Sequence, residues 1–148
     1  MTKVMLVSSS GGHWVQLNRL RPAFEGMELI YVTTEERYRN TVGLAHFLTV
    51  PDASRWNKIR VLWLAVVMLW HILRVRPDVV VSTGAAPGFF ALFFGKKLGA
   101  LTIWLDSIAN VEEMSMSGKM ASKHADLWLT QWQHLARPDG PLYKGAVL

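Results

Sequence analysis

Val4-Met5-Leu6-Val7-Ser8-Ser9-Ser10-Gly11-Gly12-His13 is a short, unbroken apolar run that stops on serines and a glycine pair. Such a run reads as a buried strand ending in a glycine turn. Trp14, Leu17, Leu20 and Phe24 follow at spacings of three, three and four, which predicts one helix over 13–24. The same phrase returns in mid-chain. Asp78-Val79-Val80-Val81-Ser82 is a Val-rich strand of the kind that parallel sheets bury on both faces. It runs into the turn Thr83-Gly84-Ala85-Ala86-Pro87-Gly88, with a helix expected over 89–98.

Outward from these two units the alternation continues. Strands are predicted at 28–33, 46–50, 101–105 and 127–130, and helices at 60–74, 114–124 and 131–137. Residues 34–40 read as a loop or short helix. Pro77 stops the 60–74 helix, and residues 146–148 offer a further edge strand. This order argues for an open, mostly parallel α/β sheet with helices on both faces, as one domain over residues 1–148. Right-handed crossovers put every strand's C-terminal end on one edge, where such folds bind ligands. The loops on that edge are rich in Gly, Ser, Thr, Asp and Asn, and the opposite loops are plainer.

Composition narrows the function. Half of the 148 residues are apolar (51%) and 18% are charged, which excludes a disordered chain. Cysteine is absent, so a disulfide framework, a zinc-thiolate site and a cysteine nucleophile are excluded. A formal charge of +5 favours anionic partners: nucleotide, nucleic acid or an anionic membrane surface. The basic residues gather beside apolar helices rather than in one stripe, which ranks nucleic acid low. No secretory signal pattern opens the sequence, and a cytoplasmic location is expected.

Ser10, Gly11 and Gly12 let the backbone approach a ligand, and the helix N-terminus behind them suits a phosphate. The spacing is neither Gly-x-Gly-x-x-Gly nor a P-loop, which disfavours NAD binding and ATP hydrolysis. The glycine pair equally serves as a plain turn. His13 stands at the mouth of that turn, as a proton acceptor for an attacking hydroxyl or as a capping histidine. Thr83 and Gly84 form the second turn on the edge. Asp106 and Ser107, with Asn110, follow the 101–105 strand, and Asp106 either holds substrate hydroxyls or caps the next helix.

Val61 to Leu73 is apolar all round, although a helix on a sheet has only one stripe to bury. Trp63 and Trp70, with Phe89, Phe90, Phe93 and Phe94 of the next helix, are flanked by Arg60, Arg74, Lys96 and Lys97. Core packing accounts for many of these residues. Aromatic anchors beside basic residues also fit an anionic membrane interface. The stretch is too short to span a bilayer, which takes about 20 apolar residues.

Four stretches in order carry a family resemblance: residues 9–13, residues 77–84, residues 106–111 with 115–119, and residues 125–132. Together they resemble the bacterial capsule and exopolysaccharide members of the asparagine-linked-glycosylation-protein-fourteen family. They are more distantly similar to the N-terminal half of MurG-type transferases. The resemblance implies a Rossmann-like domain equivalent to the N-terminal half of a GT-B glycosyltransferase. It implies a subunit that associates with the cytoplasmic face of the plasma membrane, peripherally or monotopically. That subunit recruits a separate donor-binding chain and presents a polyprenyl-diphosphate-linked saccharide. A sugar would pass from a UDP-sugar, bound mainly by the partner, with inversion and without a metal or other cofactor. The chain alone would be inactive. His13 and the Gly11-Gly12 turn would face the cleft, and Asp106, Ser107, Asn110 and the Thr83-Gly84 turn would line the acceptor side. Two departures stand out. Eukaryotic members carry an N-terminal membrane anchor, and the resemblance implies that anchoring here would rest on the 61–73 and 89–94 surfaces. Asp106 stands where the family commonly has Glu. A non-catalytic recruiting subunit and a stand-alone nucleotide-binding α/β protein are the alternative readings.

Overall fold

The computed structural model describes residues 1–147. Its seven strands are β1 (Lys3–Val7), β2 (Glu28–Thr33), β3 (His46–Thr49), β4 (Val79–Ser82), β5 (Leu101–Leu105), β6 (Leu127–Thr130) and β7 (Leu142–Tyr143). They form one sheet in the order β3-β2-β1-β4-β5-β6-β7. Every pairing is parallel, so the sheet is wholly rather than mostly parallel. The chain winds outward from β1 to β3 and then returns to lay β4 against the other side of β1. Strand order therefore reverses between β1 and β4, and a ligand crevice belongs at their C-terminal ends.

Four helices connect the strands: α1 (Gly12–Arg19), α2 (Lys58–Val75), α3 (Ala85–Lys97) and α4 (Met116–Ala121). Alternate strand residues feed two cores. Met5, Val7, Val80 and Trp104 pack with Leu64, Met68 and Ile72 of α2, Ala91 and Leu92 of α3, and Ala121 of α4. Val4, Leu6 and Val81 pack on the other face with Trp14 and Leu17 of α1. Trp14 stacks on Tyr38 at 4.6 Å, which ties the segment after β2 to α1.

Several element boundaries depart from the sequence expectation for identifiable reasons. The helix expected over 13–24 is two pieces, because α1 ends at Arg19 and a 3₁₀ turn follows over Arg21–Phe24. Pro22 has no N–H to offer Asn18, and its ring would meet that carbonyl. Helix α3 begins at Ala85, four residues before the expected start. Pro87 is its third residue, where the N–H has no intrahelical partner to lose. Residues 131–137 form only a 3₁₀ turn at Gln133–Leu135. The edge strand is Leu142–Tyr143, paired with Leu129 and Thr130. Ala146 and Val147 are not in a strand, and Leu148 lies outside the described residues. Helix α2 ends as expected before Pro77, with Arg76 in the left-handed region (φ 50°) and its N–H on the Ile72 carbonyl.

Candidate functional site

The turns after β1 and β4 meet at the reversal point. Gly11 takes φ 77°, a left-handed conformation that favours glycine, and its N–H donates to the Tyr38 hydroxyl at 3.1 Å. Helix α1 starts on this turn with no side-chain cap. Ser10, Gly11 and Gly12 are exposed, and a Cβ added to Gly12 would meet nothing. Gly12 therefore leaves open space that the protein's own packing does not fill.

His13 is half-buried and bridges the two turns. Its Nδ1 lies 3.0 Å from the Thr83 carbonyl, and the buried Thr83 hydroxyl donates back to the His13 carbonyl at 2.6 Å. A carbonyl can only accept, so Nδ1 carries the proton, and in the neutral ring Nε2 is the free acceptor. Gly84 (φ 145°) sits flat against this ring, since a Cβ there would overlap His13 Nδ1. Ala85 is held at φ 69°, a strained conformation for a residue with a Cβ. Glycine, strain and a histidine tied to Thr83 through both its ring and its carbonyl thus coincide at one point.

The loop after β5 has a different character. Asp106 is buried, at 1% exposure, and its carboxylate receives four donors. These are Trp104 Nε1 (3.0 Å), Asn110 Nδ2 (3.1 Å), the Ser115 N–H (2.8 Å) and the Ser115 hydroxyl (2.6 Å). Ser115 is the N-cap of α4, its hydroxyl accepting from the Gly118 N–H. Asp106 does not itself cap α4, since Ser115 does; its carboxylate braces that cap by accepting from the Ser115 N–H and hydroxyl. Ser107 is buried too, and its hydroxyl accepts from Gln16 Nε2 and the Ala109 N–H. Asn110 is half-buried, with its amide turned onto Asp106.

Gln16 and Gln131 extend this network, and neither stood among the candidates. Gln131 Nε2 donates to Gln16 Oε1 (2.6 Å) and to the Asp106 carbonyl (2.9 Å), while Gln16 Oε1 also accepts the Ile108 N–H. The Val147 N–H closes on Gln131 Oε1. The signal in the sequence is faint: Gln131 closes the β6 strand, and Gln16 lies within the Trp14–Leu17 turn. Thr33 Oγ1, at the end of β2, and the Tyr31 hydroxyl are buried without a partner among the described residues. Burial pushes the Tyr31 phenol up, against the pull of nearby Arg21. Among the described residues no three His, Asp or Glu side chains gather as a metal site.

Helix α2 divides as the sequence expects. Leu64, Met68 and Ile72 are buried, whereas Trp63 and Trp70 are each 57% exposed in an outward stripe with Ile59, Leu62, Val66 and Leu73. Arg74 lies 5.6 Å over the Trp70 ring, and Arg60 donates to the Asp52 carbonyl. Phe89, Phe90, Phe93 and Phe94 are only half-exposed, because they pack on one another and on His124. Burial, with Lys97 and Lys123 nearby, pulls the His124 pKa down. Lys97 covers the Phe93 ring at 4.8 Å, and Lys96 is paired with Asp126. Among the described residues no helix is long and apolar enough to cross a membrane.

Comparison with known proteins agrees with this architecture. The chain is similar to the UDP-N-acetylglucosamine transferase subunit alg14 of Schizosaccharomyces pombe, 30% identical over 61% of this chain and 43% of the relative. It is 24% identical to the mouse UDP-N-acetylglucosamine transferase subunit ALG14, over 90% of this chain and 76% of the relative. The match thus spans less than half of the yeast relative's length. Among solved structures, MurG of Acinetobacter baumannii superposes on the whole chain with a TM-score of 0.80, over 46% of its own length, at 12% identity. The UDP-GlcNAc 2-epimerase of Methanocaldococcus jannaschii superposes on 87% of this chain and 39% of its own, with a TM-score of 0.68 at 11% identity. At such identities these two speak for the fold alone. Residues 49–145, most of the chain, match the family described as oligosaccharide biosynthesis protein Alg14 like, and the chain belongs to that family.

Proposed function

We propose that this chain is the acceptor-side, membrane-associating subunit of a two-chain glycosyltransferase that acts in polysaccharide assembly. A separate chain supplies the donor half of the cleft and binds the UDP-sugar. The acceptor is a saccharide linked to a polyprenyl diphosphate. Family membership supports a transferase subunit, and the relatives' names make UDP-N-acetylglucosamine the first donor to test.

One observation carries the reading: His13 is fixed by the Thr83 carbonyl at the β1–β4 reversal with Nε2 left as its free acceptor. An acceptor hydroxyl against Nε2 gives up its proton as its oxygen attacks the sugar's C1. The C1–O bond to UDP breaks, and the electron pair leaves on the diphosphate oxygen. Attack opposite the leaving group inverts the anomeric centre. Thr83 holds the imidazolium that forms, because the Nδ1–H still points at its carbonyl. The Gly11-Gly12 turn and the uncapped start of α1 suit an acceptor phosphate. The Trp63–Trp70 stripe, with Arg60 and Arg74 beside it, suits the cytoplasmic surface of an anionic membrane.

The test is turnover by the complex reconstituted with its partner on membranes. His13→Ala is expected to lower turnover ~10²–10⁴-fold while the complex still assembles. Unchanged turnover would leave only a recruiting role for this chain.

A further inference from the structure

Helices α2, α3 and α4 cover one face of the sheet and pack on one another there. Among the described residues α1 is the one α-helix on the other face, where it packs on strands and on the segment after β2. It also carries His13, so whatever fixes its rotation aims that ring. The buried side chains of α1 are Trp14, Gln16 and Leu17. At ~100° per residue, Trp14 and Gln16 stand on opposite flanks, about 160° apart, with Leu17 and His13 between them. Trp14 is held on its flank by the stacked Tyr38 ring. Apolar contacts of that kind are non-directional and let a helix roll. The other flank is held by hydrogen bonds.

Gln16 is 5% exposed. Its Nε2 donates to the Ser107 hydroxyl (3.3 Å), and its Oε1 accepts from the Ile108 N–H (3.1 Å) and from Gln131 Nε2 (2.6 Å). The direction of these bonds is imposed by the backbone. The Val147 N–H can only donate, so it selects Gln131 Oε1, and Gln131 Nε2 then faces the Asp106 carbonyl and Gln16. The Ile108 N–H selects Gln16 Oε1 in the same way. Backbone groups thus set both amides, and a satisfied buried pair of this kind holds one geometry. An apolar residue at position 16 would fill the same place without fixing the angle.

We propose that Gln16 is a positioning residue: its clamp on Ser107, Ile108 and Gln131 stops α1 from rolling about Trp14, and so keeps His13 Nδ1 on the Thr83 carbonyl with Nε2 free. The proposal deepens the reading of His13 as the base and rests on it for any effect on turnover. The loop after β5 then has a second task beside bracing α4, because it also aims the histidine at the β1–β4 reversal.

The test reads the His13 ring nitrogens in long-range ¹H–¹⁵N spectra of the full chain, at a pH where the ring is neutral. A protonated and a bare imidazole nitrogen resonate far apart, so the spectrum reports the tautomer. The signals are assigned by their loss in His13→Ala. Wild type should carry the proton on Nδ1. Gln16→Met keeps the length of the side chain and loses its amide. It should shift the ratio of Nδ1–H to Nε2–H by ~5–10-fold toward Nε2–H, the factor expected from losing one hydrogen bond. Gln131→Met cuts the clamp from the β6 side and leaves α1 unaltered. It should shift the ratio the same way, and it decides the matter if Gln16→Met does not fold. Met68→Ala weakens the opposite core and should leave the ratio unchanged. A ratio that ignores both methionine variants overturns the proposal, and so does one that Met68→Ala moves as far. In the reconstituted complex, Gln16→Met should lower kcat by ~10-fold to ~10²-fold with KM unchanged. If the tautomer follows Gln16 but turnover ignores His13, the clamp stands and the base reading falls. If turnover needs His13 and the tautomer ignores Gln16, the base reading stands and the clamp falls.

Discussion

The turns after β1 and β4 and the loop after β5 lie on one sheet edge and share a vocabulary of Ser, Thr, Gly, Asp and Asn. Their physics is opposite. Around β1 and β4, Gly12 faces empty space, α1 starts without a side-chain cap, and His13 keeps one ring nitrogen free. After β5, every lone pair that matters is spent inside the chain. Asp106 takes four donors, and Ser107 is held between Gln16 and Ala109. A polar loop at a strand's C-terminal end thus keeps open backbone and a free ring nitrogen in one case and is a brace in the other. What separates them is unsatisfied capacity, not residue type.

The sharpest way to break this comparison is to remove the brace. Asp106→Ala leaves the buried Trp104 N–H and the partly buried Ser115 N–H without acceptors, at about 1–3 kcal/mol for each such group. Unfolding by urea should therefore show a stability loss of about 2–5 kcal/mol with an unchanged m-value. Should the variant keep its urea midpoint and instead raise the acceptor KM, Asp106 belongs to the site after all.

The same contrast explains how much the sequence makes legible. The strands are readable because a parallel sheet buried on both faces demands unbroken apolar runs such as Val79–Val81. His13 and the glycine turns are readable because position after a strand, glycine and a titratable group coincide. The role of Asp106 is not readable, because it depends on Ser115 nine residues away and on Trp104 pointing back across the strand end. Gln16 and Gln131 are 115 residues apart, and only the sheet brings them together. The start of α3 is misread for a local reason. Pro87 looks like a helix breaker, although in a first turn it costs no hydrogen bond.

A smaller effect is expected where the open half is tightest. Gly84→Ala would drive a Cβ into the His13 ring at a backbone angle that L-residues avoid. Stability should fall by about 1–2 kcal/mol. Turnover should fall further than stability explains, by up to ~10² for a displaced base. Equal losses in Gly84→Ala and Asp106→Ala, with no extra effect on turnover, would erase the distinction between the two halves.

Asp126, on the plainer opposite edge, sharpens the comparison through charge. Its hydrogen bond from Lys96, helped by the Thr102 N–H and hydroxyl, holds the carboxyl below the usual aspartate range. A depressed folded pKa stabilises above the unfolded value, and that contribution is lost as pH falls through the folded one. The advantage of wild type over Asp126→Asn should be below about 1 kcal/mol at neutral pH, because the pair is partly exposed. It should shrink in acid and in high salt. An advantage that grows with acid would reverse the assigned sign.

The smallest change is the most discriminating. Gly12 has an ordinary backbone angle and open space at its Cβ position, so alanine fits the folded chain. In the first turn of α1, Gly12→Ala should leave stability unchanged or raise it by about 0.5–1 kcal/mol. On the proposed function, the bareness of Gly12 gives an acceptor phosphate access to the α1 amides. The acceptor KM of the reconstituted complex should then rise, because the methyl occupies the space through which a phosphate reaches the α1 amides. If the melting temperature and the KM both stay put, the open half of the edge is only a turn, and His13 must act without a phosphate held beside it.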